Sequence, residues 1–451
     1  MSNSFIQFVN HASVLIGNEK NSILSDPWYS GTAFNDGWSL LFENKKEEIL
    51  KVLKKTSHIW ISHEHPDHFS IKFINEYYDF IKSKIFLFQE TQDKRVVNFL
   101  RSKKLEVIEL KDGEKFKIDQ DLIIQVQKSD FYDSALIINL KDKRIFNIND
   151  CPLKDENEIV NFKKKYGECD ILLTQFSYAG WKGGKNNLAW RKLAAKEKIE
   201  ALKLQSKIFN SKITIPFASF IYFSNIFNFY LNDSVNFPKK ILEEFDYKEK
   251  KLIFLKPYQE IDLDNLNNIE NNLIFWQDMF EEINNKNIIS EEEKNSYEVL
   301  KKYFDIYYQR IMKKNSSLAL KILKKFPFLN ILSPIVINLV DTKDNVYIDL
   351  VNCRFERTTE KAEILMHSKS IKLIFLQDFG FDTLVVNGCF EELKQNSFLK
   401  LTKSFAIGNL NNMNIYVNYK ILFNLKVILL FIKKLFLAKK KLSYNLIKEL
   451  E

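Results

Sequence analysis

The residues most able to do chemistry are concentrated in His63-Glu64-His65-Pro66-Asp67-His68, directly after the apolar run Ile59-Trp60-Ile61-Ser62. Neutral imidazoles and a carboxylate are ligands for Zn, Fe or Mn. A loop leaving a strand can aim His63 and His65 at one ion and Asp67 and His68 at its neighbour. Two such ions would bridge and activate a water, with Asp67 and His68 as the catalytic candidates and Asp67 as a general base. The chain has 6 His, and three of them fall in this one segment, which argues against chance clustering. His58 and His367 have only strand or helix neighbours and read as structural. Gly180-Trp181-Lys182-Gly183-Gly184-Lys185 looks like a phosphate-binding loop but lacks the Walker spacing. Its lysines and Trp181 suit contact with an anionic substrate.

These residues need a scaffold, and the surrounding pattern supplies one. FIQFV, SVLIG, NSILS, HIWIS and KIFLFQ are short β-rich runs, with KEEILKVLKK and SIKFINEYYDFIKS as helices between them. A second strand series runs from LEVIEL through LIIQVQ, SALIINL and RIFNIND to DILLTQF, followed by the long helix AWRKLAAKEKIEALKLQSKIF. Two strand-rich layers with flanking helices predict an α/β sandwich. The uncharged stretch 213–232 is long enough by count to cross a bilayer, but it holds Pro216 and several Ser and Asn. It reads as a strand followed by a site loop, with a membrane span as the lesser alternative.

Composition narrows the function classes. The 451 residues are 45% hydrophobic and 28% charged, a globular mixture. Of the net +9, the segment 415–451 holds eight Lys against two Glu, so +6 sits there. A charge excess confined to a tail argues against duplex nucleic acid as a partner. On a helical wheel Ile421, Leu425, Ile428, Leu429, Ile432, Leu435 and Phe436 share an arc, with Lys426, Lys433 and Lys434 opposite. This basic amphipathic helix has two readings, docking on the protein's own core or peripheral contact with a membrane. The 4 cysteines are widely spaced with no Cys-x-x-Cys, and no secretory leader precedes the first apolar segment, so a cytoplasmic protein is expected. Cys151 reads as a small buried residue. Oligomeric state is not legible.

In its motifs the chain resembles the metallo-β-lactamase superfamily, and more narrowly the branch containing CMP-N-acetylneuraminate hydroxylase. The matching words are His11-Ala12-Ser13, Asp26-Pro27-Trp28-Tyr29-Ser30-Gly31-Thr32-Ala33-Phe34, Gly37-Trp38 and the His63–His68 cluster. Later come Asn149-Asp150-Cys151, Gln175-Phe176-Ser177-Tyr178-Ala179-Gly180 and Pro216-Phe217-Ala218. The resemblance implies a four-layer αββα sandwich over residues 1–245. A helical connecting region then follows over 246–330, with a smaller α+β domain over 331–414 that faintly resembles a sterol-carrier fold, and the basic helix over 415–451.

The resemblance also implies a ligand set, from which this chain departs. Asp150 stands at the position of the bridging carboxylate. A third metal-binding His is expected before Ser134, where the chain has Ser129-Asp130-Phe131-Tyr132-Asp133, leaving Asp130 as a candidate oxygen ligand. Such a donor would shift preference from Zn toward Fe or Mn. The last expected His meets Phe223-Ser224-Asn225 instead, which makes Asn225 a candidate beside the site. His11 either hydrogen-bonds near the metal or shapes a turn. Asp26 either holds a ligating His or caps the turn before Pro27. No cysteine has the His neighbours of a Rieske cluster, so no iron–sulfur centre is expected. The leading expectation is a hydrolase with one or two Zn or Fe ions, Mn being possible, acting on an acidic or nucleotide-linked sugar or a phosphoester, as in surface-glycan synthesis. The alternatives are an iron oxygenase needing an external electron donor, and a catalytically degenerate protein that binds a glycan, lipid or partner.

Overall fold

A computed structural model describes residues 4–129, 132–245, 251–290, 293–325, 332–412 and 415–418. The chain divides into two compact units: residues 1–224 with 229–288, and residues 225–228 with 289–451.

The first unit opens with β1 (Phe5–Asn10), β2 (Ser13–Gly17), β3 (Ser22–Ser25) and β4 (Trp38–Leu40). Helix α1 (Lys46–Lys55) leads to β5 (His58–Ile61), α2 (Ile71–Glu76), α3 (Tyr78–Ile81), β6 (Ile85–Gln89), α4 (Arg95–Ser102) and β7 (Glu106–Leu110). Next come β8 (Lys115–Lys117), β9 (Leu122–Lys128), β10 (Ser134–Leu140), β11 (Lys143–Asn149), α5 (Glu156–Tyr166), β12 (Ile171–Gln175), α6 (Leu188–Ile208) and β13 (Ile213–Phe217). The unit closes with β14 (Ile221–Phe223), α7 (Pro238–Glu244), β15 (Lys251–Leu252), β16 (Glu260–Asp262) and α8 (Leu273–Glu281).

Two seven-stranded sheets result, in the orders β16-β1-β2-β3-β5-β6-β7 and β15-β13-β12-β11-β10-β9-β8. Both follow one plan. The pairs from β16 to β3 are antiparallel and those from β3 to β7 parallel. Likewise the pairs from β8 to β11 are antiparallel and those from β11 to β15 parallel. The parallel strands are continuous apolar runs such as HIWI and ILLTQ because both of their faces are covered.

Strand alternation determines what covers each face. Leu24, Ile59, Ile61, Phe86 and Phe88 pack with Ile49, Val52, Phe73, Ile81, Val97 and Leu100 of α1–α4. Ile137, Phe146, Ile148 and Leu172 pack with Ile159 and Phe162 of α5, and Leu204 of α6 joins that cluster. The residues that alternate with these, Val14, Ile23, Trp60 and Leu87 in one sheet and Leu136, Ile138, Ile145 and Leu173 in the other, are buried too. They turn away from the helices, so each sheet covers the other's inner face, giving the expected αββα order. Hydrogen bonds tie the sheets together, including Ser134 Oγ to the Ser62 carbonyl at 2.6 Å and Ala218 N–H to the His11 carbonyl at 2.9 Å.

The first unit extends past residue 245, because β15 and β16 add an edge strand to each sheet and α8 buries Trp276. Those strands are two and three residues long and lie in Asn- and Lys-rich sequence, too short for a visible alternation. The uncharged stretch 213–232 contains β13, β14 and a 3₁₀ turn beginning at Phe229. Among the described residues no helix is long and apolar enough to cross a membrane. The second unit carries a five-stranded sheet and a core of Phe304, Tyr307, Phe355, Phe375 and Phe405. Nearly all of the basic segment 415–451, including its amphipathic arc, lies outside the described residues.

Trp60 is fully buried on the inner face. Trp60→Ala is expected to lower stability by about 3–5 kcal/mol, read as a shift in the urea midpoint with an unchanged slope.

Candidate metal centre

The site is assembled where strands end. Asp26 follows β3 directly, His63 to His68 follow β5, Asp150 follows β11, and Gln175 ends β12. Backbone strain marks the junction: His11, Asp26, Asn149 and Ala218 have φ of 41°, 38°, 53° and 47°. Non-glycine residues seldom take the left-handed region unless their surroundings hold them there.

Asp26, 1% exposed, organises the imidazoles. Its Oδ1 accepts the Ser62 N–H at 2.8 Å. Its Oδ2 accepts from Ser62 Oγ at 2.7 Å, Asn149 Nδ2 at 2.7 Å and His68 Nδ1 at 3.0 Å. Because Ser62 Oγ donates to Asp26, it takes its own bond from His63 Nδ1–H at 2.8 Å. Both His63 and His68 thus carry a proton on Nδ1 and turn Nε2 inward. This is how a carboxylate fixes the tautomer of a metal-ligating His.

Two clusters of donors result. His63, His65 and Asp150 offer ligand atoms all within 4.8 Å of one another, and so do His11, Asp67 and His68. Asp150 Oδ1 is also 3.5 Å from His68 Nε2, so it stands between the clusters. Burial, reinforced by His68, pulls His63 down to about 4. Burial and His63 do the same to His65. Both rings are therefore neutral at pH 7, and His63 Nε2 lies 2.8 Å from His65 Nδ1, a contact that a shared ion would replace. Burial also opposes charge on His68, but Asp67, Asp150 and Asp26 outweigh it and raise its pKa well above the ordinary value. The carboxylates thus favour a cation at this ring. In turn His68 and His63 hold the buried Asp150 down to about 2, and His68 with His11 holds Asp67 well below the usual carboxylate range.

Sequence reasoning missed several residues. Asp130 lies outside the described residues, while Asp133, directly before β10, places Oδ1 3.6 Å from His63 Nε2. Burial and the nearby Asp150 raise Asp133 to about 6. Lying just outside the strand's alternation, it carries no linear signal that marks it. Gln175 donates from Nε2 to Asp150 Oδ1 at 2.6 Å and accepts at Oε1 from Lys198 of α6. Burial lowers the Lys198 pKa, and Lys182 and Lys154 lower it further. These cations lie close enough to feel one another, a relation no linear motif discloses. Trp181 donates to Tyr230 Oη at 3.2 Å and packs edge-on to Trp190. Asn225 belongs to the second unit, where its N–H meets Asn228 Oδ1.

No family model matches the chain. The cytidine monophosphate-N-acetylneuraminic acid hydroxylase of Danio rerio is 23% identical over 238 residues, covering 48% of this chain and 38% of that protein. The chain therefore spans well under half the length of that relative. Among solved structures, CmlA, a diiron β-hydroxylase from Streptomyces venezuelae, is 11% identical with a TM-score of 0.38, covering 58% of this chain and 55% of its own. The metallo-β-lactamase-fold protein YhfI of Bacillus subtilis is 11% identical with a TM-score of 0.37, covering 58% and 99%. The similar solved structures thus include one described as a metallo-β-lactamase-fold protein and another, from Thermotoga maritima, described as a putative Zn-dependent hydrolase of that superfamily.

Asp26→Ala removes the acceptor that fixes two rings and is expected to weaken metal affinity roughly 10–100-fold in a competitive chelator titration. The chelator-stripped protein is expected to lose thermal stability as pH falls from 7 to 5. His63 and His65 stay neutral when folded down to about 4, whereas the unfolded rings take up protons near 6.5, so stability drains away between those values. Asp133, raised to about 6, acts in the opposite sense and offsets part of the loss. A His63→Asn, His65→Asn double variant should flatten the melting-temperature profile.

Proposed function

We propose that the chain is a metal-dependent hydrolase that uses metal-activated water on an anionic substrate. The observation that carries this reading is the pair of donor clusters, one fully buried and one partly so, that meet at Asp150. The residues fit a metal. His68 Nε2, Asp67 Oδ1 and Asp133 Oδ1 are buried without a hydrogen-bond partner, a costly arrangement that a bound cation would relieve. His63, His65 and Asp150 would hold one ion, and Asp67 and His68 would contribute to another. A bound Zn, Fe or Mn ion supplies a water acidic enough to be deprotonated near neutral pH.

The chain's own groups perform the rest. Asp133, near 6, is the better proton acceptor at neutral pH, because Asp67 is held too acidic to act as an effective base. Lys198, with Lys182 and Lys154 in its field, favours an anion beside Asp150. An acidic or nucleotide-linked sugar satisfies that requirement, and so does a simpler phosphoester. Similarity to a hydroxylase favours a second reading, oxygen-dependent hydroxylation at iron with an external electron donor.

The test is turnover of CMP-sialic acid, phosphodiester and lactone substrates by protein loaded with Zn, Mn or Fe, with and without a reductant. Hydrolysis without reductant is the predicted result. Asp133→Asn should lower kcat by roughly 10²–10⁴ and remove the acidic limb of the pH profile near 6. Product formed only with iron, oxygen and reductant would replace the first reading with the second. Failure of every metal form on every substrate would contradict both and leave a binding protein.

A further inference from the structure

The turn between β1 and β2 places a strained residue against the metal centre. His11 has φ of 41°, and its backbone is pinned on both sides. Its N–H donates to Asn10 Oδ1 at 2.8 Å, and its carbonyl accepts from Ala218 N–H at 2.9 Å. The residue is 2% exposed, and its ring packs edge-on to Trp28 at 5.6 Å. The imidazole is thereby held in one place, with Nε2 3.2 Å from Asp67 Oδ2 and Nδ1 buried without a partner.

A ring that served only to steady Asp67 would leave the rest of this corner unexplained. His68 Nε2 approaches the same Asp67 oxygen at 3.1 Å, while its Nδ1 is held by Asp26. Two imidazoles therefore converge on one carboxylate oxygen, while Asp67 Oδ1 and His68 Nε2 have no hydrogen-bond partner. The ligand atoms of His11, Asp67 and His68 all lie within 4.8 Å of one another, and all three residues are buried. Bonds of about 2.0–2.2 Å to a shared ion place donors roughly 3–4 Å apart, a spacing this cluster reaches with small adjustments.

We propose that His11 is a direct metal ligand that completes, with Asp67 and His68, a second position for a divalent first-row ion beside the position of His63, His65 and Asp150. The inference rests on the metal-dependent reading above and adds a donor from outside the His63–His68 segment. Nitrogen, oxygen and nitrogen donors suit Zn, Mn or Fe.

The experiment counts ions per chain by elemental analysis after loading with Zn or Co(II) and removing the excess. Two in the wild type is the expected result. His11→Asn keeps a residue type that tolerates positive φ but offers only a weak amide donor. It should bind one ion and lose part of the Co(II) absorption, while His63→Ala should lose the other ion. His11→Asp, equally tolerant of the turn, should restore the second ion with an altered Co(II) spectrum. Two ions in His11→Asn with unchanged affinity and spectrum would overturn the proposal and make His11 a positioning residue for Asp67. A single ion in the wild type, removed by His63→Ala, would also overturn it while leaving the metal-dependent reading intact. No ion in the wild type would overturn both. If His11→Asn unfolds in circular-dichroism melts, Co(II)-loaded His63→Ala still decides the matter. Two hyperfine-shifted imidazole resonances at its remaining ion would support the proposal, and one would overturn it.

Discussion

The carboxylate of Asp26 is the constraint from which the site follows. It is buried where the two sheets meet and accepts hydrogen bonds from Ser62 N–H, Ser62 Oγ, Asn149 Nδ2 and His68 Nδ1. Hydrogen bonds to a charged group contribute about 1.5–3 kcal/mol each, so this one side chain offsets the strain stored nearby. It also joins the two sheets chemically, since Asn149 ends β11 while Ser62 follows β5. Through Ser62 it reaches His63 as well, so one anion sets the proton positions on both rings.

The strand plan explains why donors collect at this point. In each sheet the pairing changes from antiparallel to parallel at one strand, β3 in the first and β11 in the second. Parallel strands send all their carboxyl ends to one edge, so the loops that leave them gather there. Asp26 follows β3 and Asp150 follows β11. The hydrogen bond from Asn149 to Asp26 shows that these two edges face each other.

Much of this was legible in the sequence. The His63–His68 spacing and the apolar run before it specify a strand followed by a loop of metal-ligating residue types, and the alternation of the two strand series implies two layers. The missed residues share one physical property, in that tertiary packing brings them to the site. Lys198 comes from the middle of α6, and no periodicity marks it apart from the helix's other lysines. Asp133 lies directly before β10, where residues have no alternation to fix their direction. Asn225, which stands where the resemblance expects a last His, belongs to the second unit with residues 225–228.

The most direct measurement is elemental analysis of protein purified without added metal. The account predicts about one to two equivalents of Zn, Fe or Mn per chain, since converging imidazoles and ionised carboxylates form a site that should retain its cation through purification. Protein that carries no transition metal, and takes up none after incubation with each of these ions, would contradict the claim that these clusters are a metal centre.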